Sequence, residues 1–178
     1  MQEINLQECL QIKQSNARRR SDANVIEYYD IPLSNEIQNY IFKLCQQYDL
    51  NSSLVIAIID TETGGTFDNN LRHVNTDKTI DFGLMQLNSR YHSYFKELVN
   101  EPNFDAEDTY HNLHAGIKYL SILRTELRHK CSDDELKTYY LNAYNMGSTG
   151  YQRYVRQTGK TSRAYSNKIL EKESYCNW

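Results

Sequence analysis

Six consecutive apolar residues, Leu54-Val55-Ile56-Ala57-Ile58-Ile59, run into Asp60-Thr61-Glu62 and then two glycines, Gly64 and Gly65. A helix that is apolar nearly all round has no face to offer to water, so this run specifies a helix buried on every side. Asn51 in front of it is an N-cap. Glu62 ends it, at the tip of a buried helix, which is not the setting of an ordinary surface glutamate. Burial disfavours the charged form of a carboxyl group and raises its pKa. A carboxyl group still protonated near neutrality can serve as a general acid. Considered alone, Glu62 could equally be a helix-end glutamate facing solvent.

The rest of the chain reads as helices around that element. With 178 residues the expectation is one domain, large enough to bury a core without staples. Residues 1–30 are polar and read as a leader, and the compact domain is placed at 31–178. Ser34 caps an amphipathic helix over 35–49, with Ile37, Ile41, Leu44, Cys45 and Tyr48 at helical spacing. Residues 64–89, rich in Gly, Asn, Asp and Thr, suit loops and a small hairpin. A short helix follows at 91–99 and a long one at 107–129, with Leu113, Ile117, Leu120, Leu123 and Leu127 on one face. Ser132-Asp133-Asp134-Glu135 is a capping box. Its helix runs to about Asn145, with Gly147 as the stop. Two shorter helices are expected near 149–157 and 162–172. The fold class is therefore mainly α, with a small irregular or β lobe.

Several functions are disfavoured at this stage. A net charge of −3 does not argue for nucleic acid. The triplet Arg18-Arg19-Arg20 reads as a solvated tail segment. No apolar run reaches the ~20 residues of a membrane span. The first 30 residues carry no apolar core of signal-peptide type, so export either avoids that route or follows loss of a signal. The four cysteines, Cys9, Cys45, Cys131 and Cys176, form no CxxC pair, which disfavours zinc and thioredoxin-like chemistry. Cys45 reads as core filler, and Cys131 and Cys176 could pair in an oxidising space. Glu107, His111 and His114 share a helix face, but without a His-Glu-x-x-His partner motif they read as a solvated face.

Two further segments give Glu62 a context. Gly83-Leu84-Met85-Gln86 offers a glycine for close approach and an amide for hydrogen bonding. Ala143-Tyr144-Asn145-Met146-Gly147 places a phenol and an amide at a helix end. In this order Glu62-Thr63-Gly64, Gly83-Leu84-Met85-Gln86 and Ala143-Tyr144-Asn145-Met146-Gly147 resemble the soluble lytic transglycosylases of the lysozyme-like superfamily, with secretion-, conjugation- and phage-associated members nearest. Thr63 stands where that family has serine. Thr161-Ser162-Arg163-Ala164-Tyr165 resembles its closing segment more weakly, and Asn112 and Gly116 match an Asn-x-x-x-Gly spacing. The resemblance spans about residues 32–172.

What the resemblance implies is a lysozyme-like helical domain that cleaves the bond between N-acetylmuramic acid and N-acetylglucosamine in peptidoglycan, leaving 1,6-anhydro ends, with no metal or organic cofactor. It implies Glu62 as acid and then base, the Tyr144 hydroxyl on Glu62, and Thr63, Gly83, Met85, Gln86, Asn145 and Tyr165 as substrate-binding residues. Tyr144 could also be plain core, since the chain has 15 tyrosines. Asp81 is the ambiguous residue. Residues 75–83 also resemble the segment of animal-type lysozymes that bears their second carboxylate, which would make the chain a hydrolase; otherwise Asp81 caps a turn. With Trp178 the only tryptophan, the sugar groove would use tyrosines, with Tyr91, Tyr94, Tyr140 and Tyr165 as candidates. A monomer acting at the bacterial cell wall is expected, with glycan strands as substrate and a holin or a secretion machine as partner. A weakly active wall-binding module of a phage or secretion apparatus is the remaining alternative.

Overall fold

The structure, a computed structural model, describes residues 27–175. Seven α-helices and one small sheet follow in order: α1 (Asn35–Gln47), α2 (Ser52–Glu62), β1 (Arg72–Val74), β2 (Ile80–Phe82), β3 (Leu87–Asn88), α3 (His92–Val99), α4 (Thr109–Leu127), α5 (Asp133–Met146), α6 (Ser148–Thr158) and α7 (Ala164–Tyr175). The strands form an antiparallel sheet in the order β1-β2-β3, with His73 opposite Asp81 and Asp81 opposite Asn88.

Every residue from Leu54 to Ile59 is at most 1% exposed, as an all-apolar helix requires. Helix α2 packs against α1 and α7, α4 joins α1, α3 and α5, and α5 carries both α6 and α7. The predicted stripe on α4, Leu113, Ile117, Leu120, Leu123 and Leu127, is buried throughout. The caps follow from their side chains. Ser34 accepts from the Ile37 amide and Asn51 from the Ser53 amide. Asp108 accepts from the amides of Tyr110 and His111, so α4 starts at Thr109. The expected capping box differs: the Ser132 hydroxyl bonds the Glu135 carboxylate at 2.9 Å and no side chain caps the α5 backbone.

Tyr28 and Tyr29 pack on Phe42 of α1, Tyr29 bonds Gln38 through its backbone, and its hydroxyl meets Ser52 at 2.8 Å. Tyr28 and Tyr29 are thus in contact with the first two helices. The leader as far as residue 26, the Arg18–Arg20 triplet, Cys9 and Cys176 lie outside the described residues. Cys45 is buried as core filler and its thiol is pushed up to about 12 by burial.

The segment between β2 and β3 is seated on α4 by two residues one turn apart. Asn112, fully buried, donates to the carbonyls of Phe82 (2.7 Å) and Ala106 (2.9 Å) and accepts from the Met85 amide (2.9 Å). A Cβ on Gly83 would lie 2.8 Å from the Asn112 side chain, and one on Gly116 would lie 2.7 Å from Met85. Both glycines are thus close-approach positions. Gly116→Ala should destabilise the fold by about 1–3 kcal/mol through overpacking against Met85. Gly150→Ala, whose nearest neighbour would be at 3.8 Å, should be neutral or slightly stabilising, because alanine favours the helix. Urea denaturation of the two variants measures the contrast.

Candidate active site

Helix α2 ends at Glu62 because the chain then turns away. The Thr63 amide and hydroxyl both bond the Ile59 carbonyl, Gly65 returns its amide to Asp60, and Gly64 and Gly65 both take positive φ. The last helical side chain is left half-buried on the wall of a cleft of about 1030 Å³. Across the cleft run β2, β3 and the end of α5, contributing Asp81, Gln86, Tyr144 and Asn145. The lining of the cleft includes the aromatic side chains of Tyr91, Tyr94 and Tyr119 and the polar ones of His73, Asn75, Asp77 and Arg90. Tyr91 and Tyr94 are among the few exposed large apolar side chains.

The Tyr165 hydroxyl donates to Glu62 Oε1 at 2.5 Å. Four influences act on the Glu62 carboxyl group. Burial, the largest, raises its pKa; the Tyr165 hydrogen bond lowers it; the charge of Asp81 raises it; the charge of Lys168 lowers it. Burial prevails, and the group is pushed up to about 7. A half-protonated acid near neutral pH can both give and take a proton. The Tyr165 and Tyr144 phenols are held well above the ordinary tyrosine range, chiefly by burial and then by the nearby Glu62 charge. Neither ionises at neutral pH, so each acts as a neutral hydrogen-bonding group.

Asp81 lies in the middle of β2 and does not cap a turn; Asp77 takes that task, accepting from the Thr79 amide at 3.1 Å. Both Asp81 oxygens are occupied: Oδ1 by the Asn88 amide at 2.7 Å and Oδ2 by the Asn75 amide at 2.9 Å. Gln86 sits in the cleft with positive φ, and its NH2 donates to the Gly83 carbonyl at 2.8 Å. A non-glycine residue in that region is uncommon. Asn145 is exposed on the cleft and accepts from Arg163 at 3.2 Å.

Several sequence-based roles change. Tyr144 was expected on Glu62, but its hydroxyl donates to the Met85 carbonyl at 2.8 Å. The two phenols differ because α5 faces the β2–β3 segment whereas α7 packs on α2. Thr63 is buried and does not line the cleft; its hydroxyl is shared between the Ile59 carbonyl and the Phe67 amide. Gly83 makes room for the Asn112 side chain. Met85 is fully buried against Gly116 and acts through its backbone. Tyr140, at 3% exposure, is core. Sequence reasoning missed Asn75, Asn88 and Tyr119. An Asn paired with Asp81 across a short hairpin could have been sought, but the register was not legible.

The His111–His114 face proves to be structural. Tyr48 bonds the His114 ring at 2.7 Å, His111 accepts from the Asp105 amide at 3.2 Å, and Glu107 pairs with Arg72. Among the described residues no group of three His, Cys, Asp or Glu side chains is arranged to hold a metal ion. None of the described helices is long and apolar enough to cross a membrane.

In fold the chain is similar to an inactive mutant of the lytic transglycosylase Slt from Pseudomonas aeruginosa, with a TM-score of 0.53 and 20% identity. That match covers 89% of this chain and 24% of the other, so the chain spans about a quarter of that protein's length. No curated protein matches the chain significantly. The family model described as Transglycosylase SLT domain matches residues 39–167, well over half of the chain and inclusive of Glu62, Asp81, Gln86, Tyr144 and Tyr165. The chain belongs to the transglycosylase SLT domain family.

Proposed function

We propose that this chain is a peptidoglycan lytic transglycosylase that cleaves the β-1,4 bond between N-acetylmuramic acid and N-acetylglucosamine. The observation that carries this reading is Glu62: a carboxyl group with its pKa pushed up to about 7, on the wall of an open cleft and oriented by Tyr165. Protonated Glu62 gives its proton to the glycosidic oxygen as the bond breaks. The substrate's acetamido group covers the oxocarbenium-like carbon. The Glu62 carboxylate then removes the proton of the muramic acid 6-hydroxyl, whose oxygen closes the 1,6-anhydro ring. A single carboxyl group serves both steps, which suits a pKa near the working pH.

The surrounding residues divide the remaining work. Tyr165 holds Glu62 in one orientation without carrying charge. Gln86, with its NH2 committed to Gly83, offers its amide oxygen to a sugar hydroxyl, and Asn145 lies exposed on the same cleft. Tyr144 supports the floor through Met85. Tyr91 and Tyr94 offer exposed ring faces to sugars. Site of action is the bacterial cell wall.

One observation favours a second reading. Asp81 shares the cleft with Glu62, and two amides hold both its oxygens. A second carboxylate of fixed orientation could stabilise a positive sugar carbon until water opens it, making the chain a hydrolase.

Glu62→Gln should fold like the parent and lose at least ~10²-fold in cell-wall lysis, because the nearly isosteric amide has no transferable proton. Near-parental turbidity clearance by this variant would reject Glu62 as the acid. For the parent, kcat/KM should decline as pH rises through about 7, where Glu62 loses its proton. Since the Asp81 charge raises that pKa, Asp81→Asn should move the alkaline limb to lower pH. Tyr165→Phe should move it upward, since the lost hydrogen bond favours the charged form.

Mass analysis of the released muropeptides separates the two chemistries. Transglycosylation leaves ends one water lighter than hydrolysis does, and Asp81→Asn should still release them. Reducing muramic acid ends alone, together with an inert Asp81→Asn, would establish the hydrolase.

A further inference from the structure

Tyr165 reaches Glu62 from a different helix, so their hydrogen bond exists only while α7 keeps its position on α2. The link into α7 is held by the Thr161 carbonyl, which accepts from Tyr151 at 2.6 Å and Asn142 at 3.1 Å. Towards the C-terminal end of α7, two ion pairs tie it down. Lys137 bonds Glu173 at 2.9 and 3.0 Å, joining α5 to α7. Lys172 pairs with Asp60, joining α7 to α2. Asp60 stands two residues before Glu62. Lys172 stands seven residues beyond Tyr165, two turns along the same helix face. The same two helices are therefore joined twice, once by phenol on carboxyl group and once by ammonium on carboxylate. The second junction is shielded, with Lys172 and Asp60 side chains 23% and 12% exposed. Neither residue lines the cleft.

We propose that the Asp60–Lys172 ion pair is a positioning element for the candidate acid: it sets how far α7 lies along α2 and thereby keeps the Tyr165 hydroxyl on Glu62. This inference rests on the reading of Glu62 as general acid. The Tyr165–Glu62 bond depends on where α7 lies along α2, and small sliding of packed helices is an available motion. A shielded charge pair two turns away resists such sliding, since separating it strands two poorly hydrated charges. Around Glu62 itself the titratable neighbours are Tyr165 and Lys168 of α7, Asp81 of β2 and Tyr144 of α5. Tyr165 and Lys168 both ride on α7, and of the two Tyr165 is the one that hydrogen-bonds Glu62.

The test compares Lys172→Met with Lys137→Met, which cuts the other tie of α7. Lys172→Met should lower kcat by roughly tenfold with little change in KM, the effect of loosening one hydrogen bond at the reacting group. It should also move the alkaline limb of the pH–rate profile upward, as Tyr165→Phe does. Lys137→Met should lower thermal stability only. In the Tyr165→Phe background, Lys172→Met should cause no further loss of kcat, and Lys172→Arg in the parent should restore most of it. If Lys172→Met fails to fold, Asp60→Asn, which keeps the side-chain shape, should give the same shift of the limb to a smaller degree. A folded Lys172→Met or Asp60→Asn protein with parental kcat and pH limb would overturn the positioning role. So would additive losses in the Tyr165→Phe background. Failure of this inference alone leaves Glu62→Gln inactive; an active Glu62→Gln protein would instead remove the functional reading beneath it.

Discussion

The cleft depends on one buried amide. From the central helix α4, Asn112 satisfies the Phe82 carbonyl and the Met85 amide of the β2–β3 region together with the Ala106 carbonyl just ahead of α4. Those backbone groups are shut away from water, and each would be costly if left unpaired. One turn further on, Gly116 leaves the space that Met85 fills. The β2–β3 segment is thereby pressed onto α4 in a single position. Asp81, Gln86 and the Met85 carbonyl that receives Tyr144 are all set by that position. Any tilt of the sheet on α4 would move the whole far wall of the cleft relative to Glu62.

The near wall depends on a balance of electrostatics. Burial favours the neutral form of Glu62, and a hydrogen bond from a neutral phenol partly offsets it. The result is a group whose two protonation states are close in free energy, as a residue acting first as acid and then as base requires. The balance draws on three elements. Helix α2 supplies burial, α7 supplies the phenol and the Lys168 charge, and β2 supplies the opposing charge of Asp81. Helix packing thus bears on the proton affinity of Glu62, since the interhelical fit decides whether the phenol arrives.

Asp81 illustrates how one residue can support two readings. Held by Asn75 and Asn88, it lies in the same open cleft as Glu62 and influences its proton affinity. That influence exists whether or not Asp81 ever faces a sugar carbon. A carboxylate at this position can tune the acid in a transglycosylase or stabilise positive charge in a hydrolase, and the two roles share one geometry.

Local chemistry was legible in the amino-acid sequence. The unbroken apolar run from Leu54 to Ile59 dictated a buried helix, and Ser34 and Asn51 marked helix starts by hydrogen bonds within three residues. The leucine stripe of α4 named its own buried face. These signals are local, so periodicity and capping suffice to read them. Glu62 followed from the first of them, because a carboxyl group at the end of an all-apolar helix must be partly desolvated. What tertiary structure alone decided was partnership. The sequence leads one to expect both Tyr144 and Tyr165 near Glu62, but which phenol meets it depends on where α5 and α7 pack. The internal partners of Thr63 and Gly83 also needed the fold, because a hydroxyl finds its nearest backbone groups and the space of a missing Cβ is filled by whichever neighbour packs there. The clasp of Asn75 and Asn88 on Asp81 needed the strand register. The pairing of Asp60 with Lys172 needed two helices remote in sequence to cross at one angle. Distances between elements are set by the packing of the whole core, and no stretch of sequence carries that information by itself.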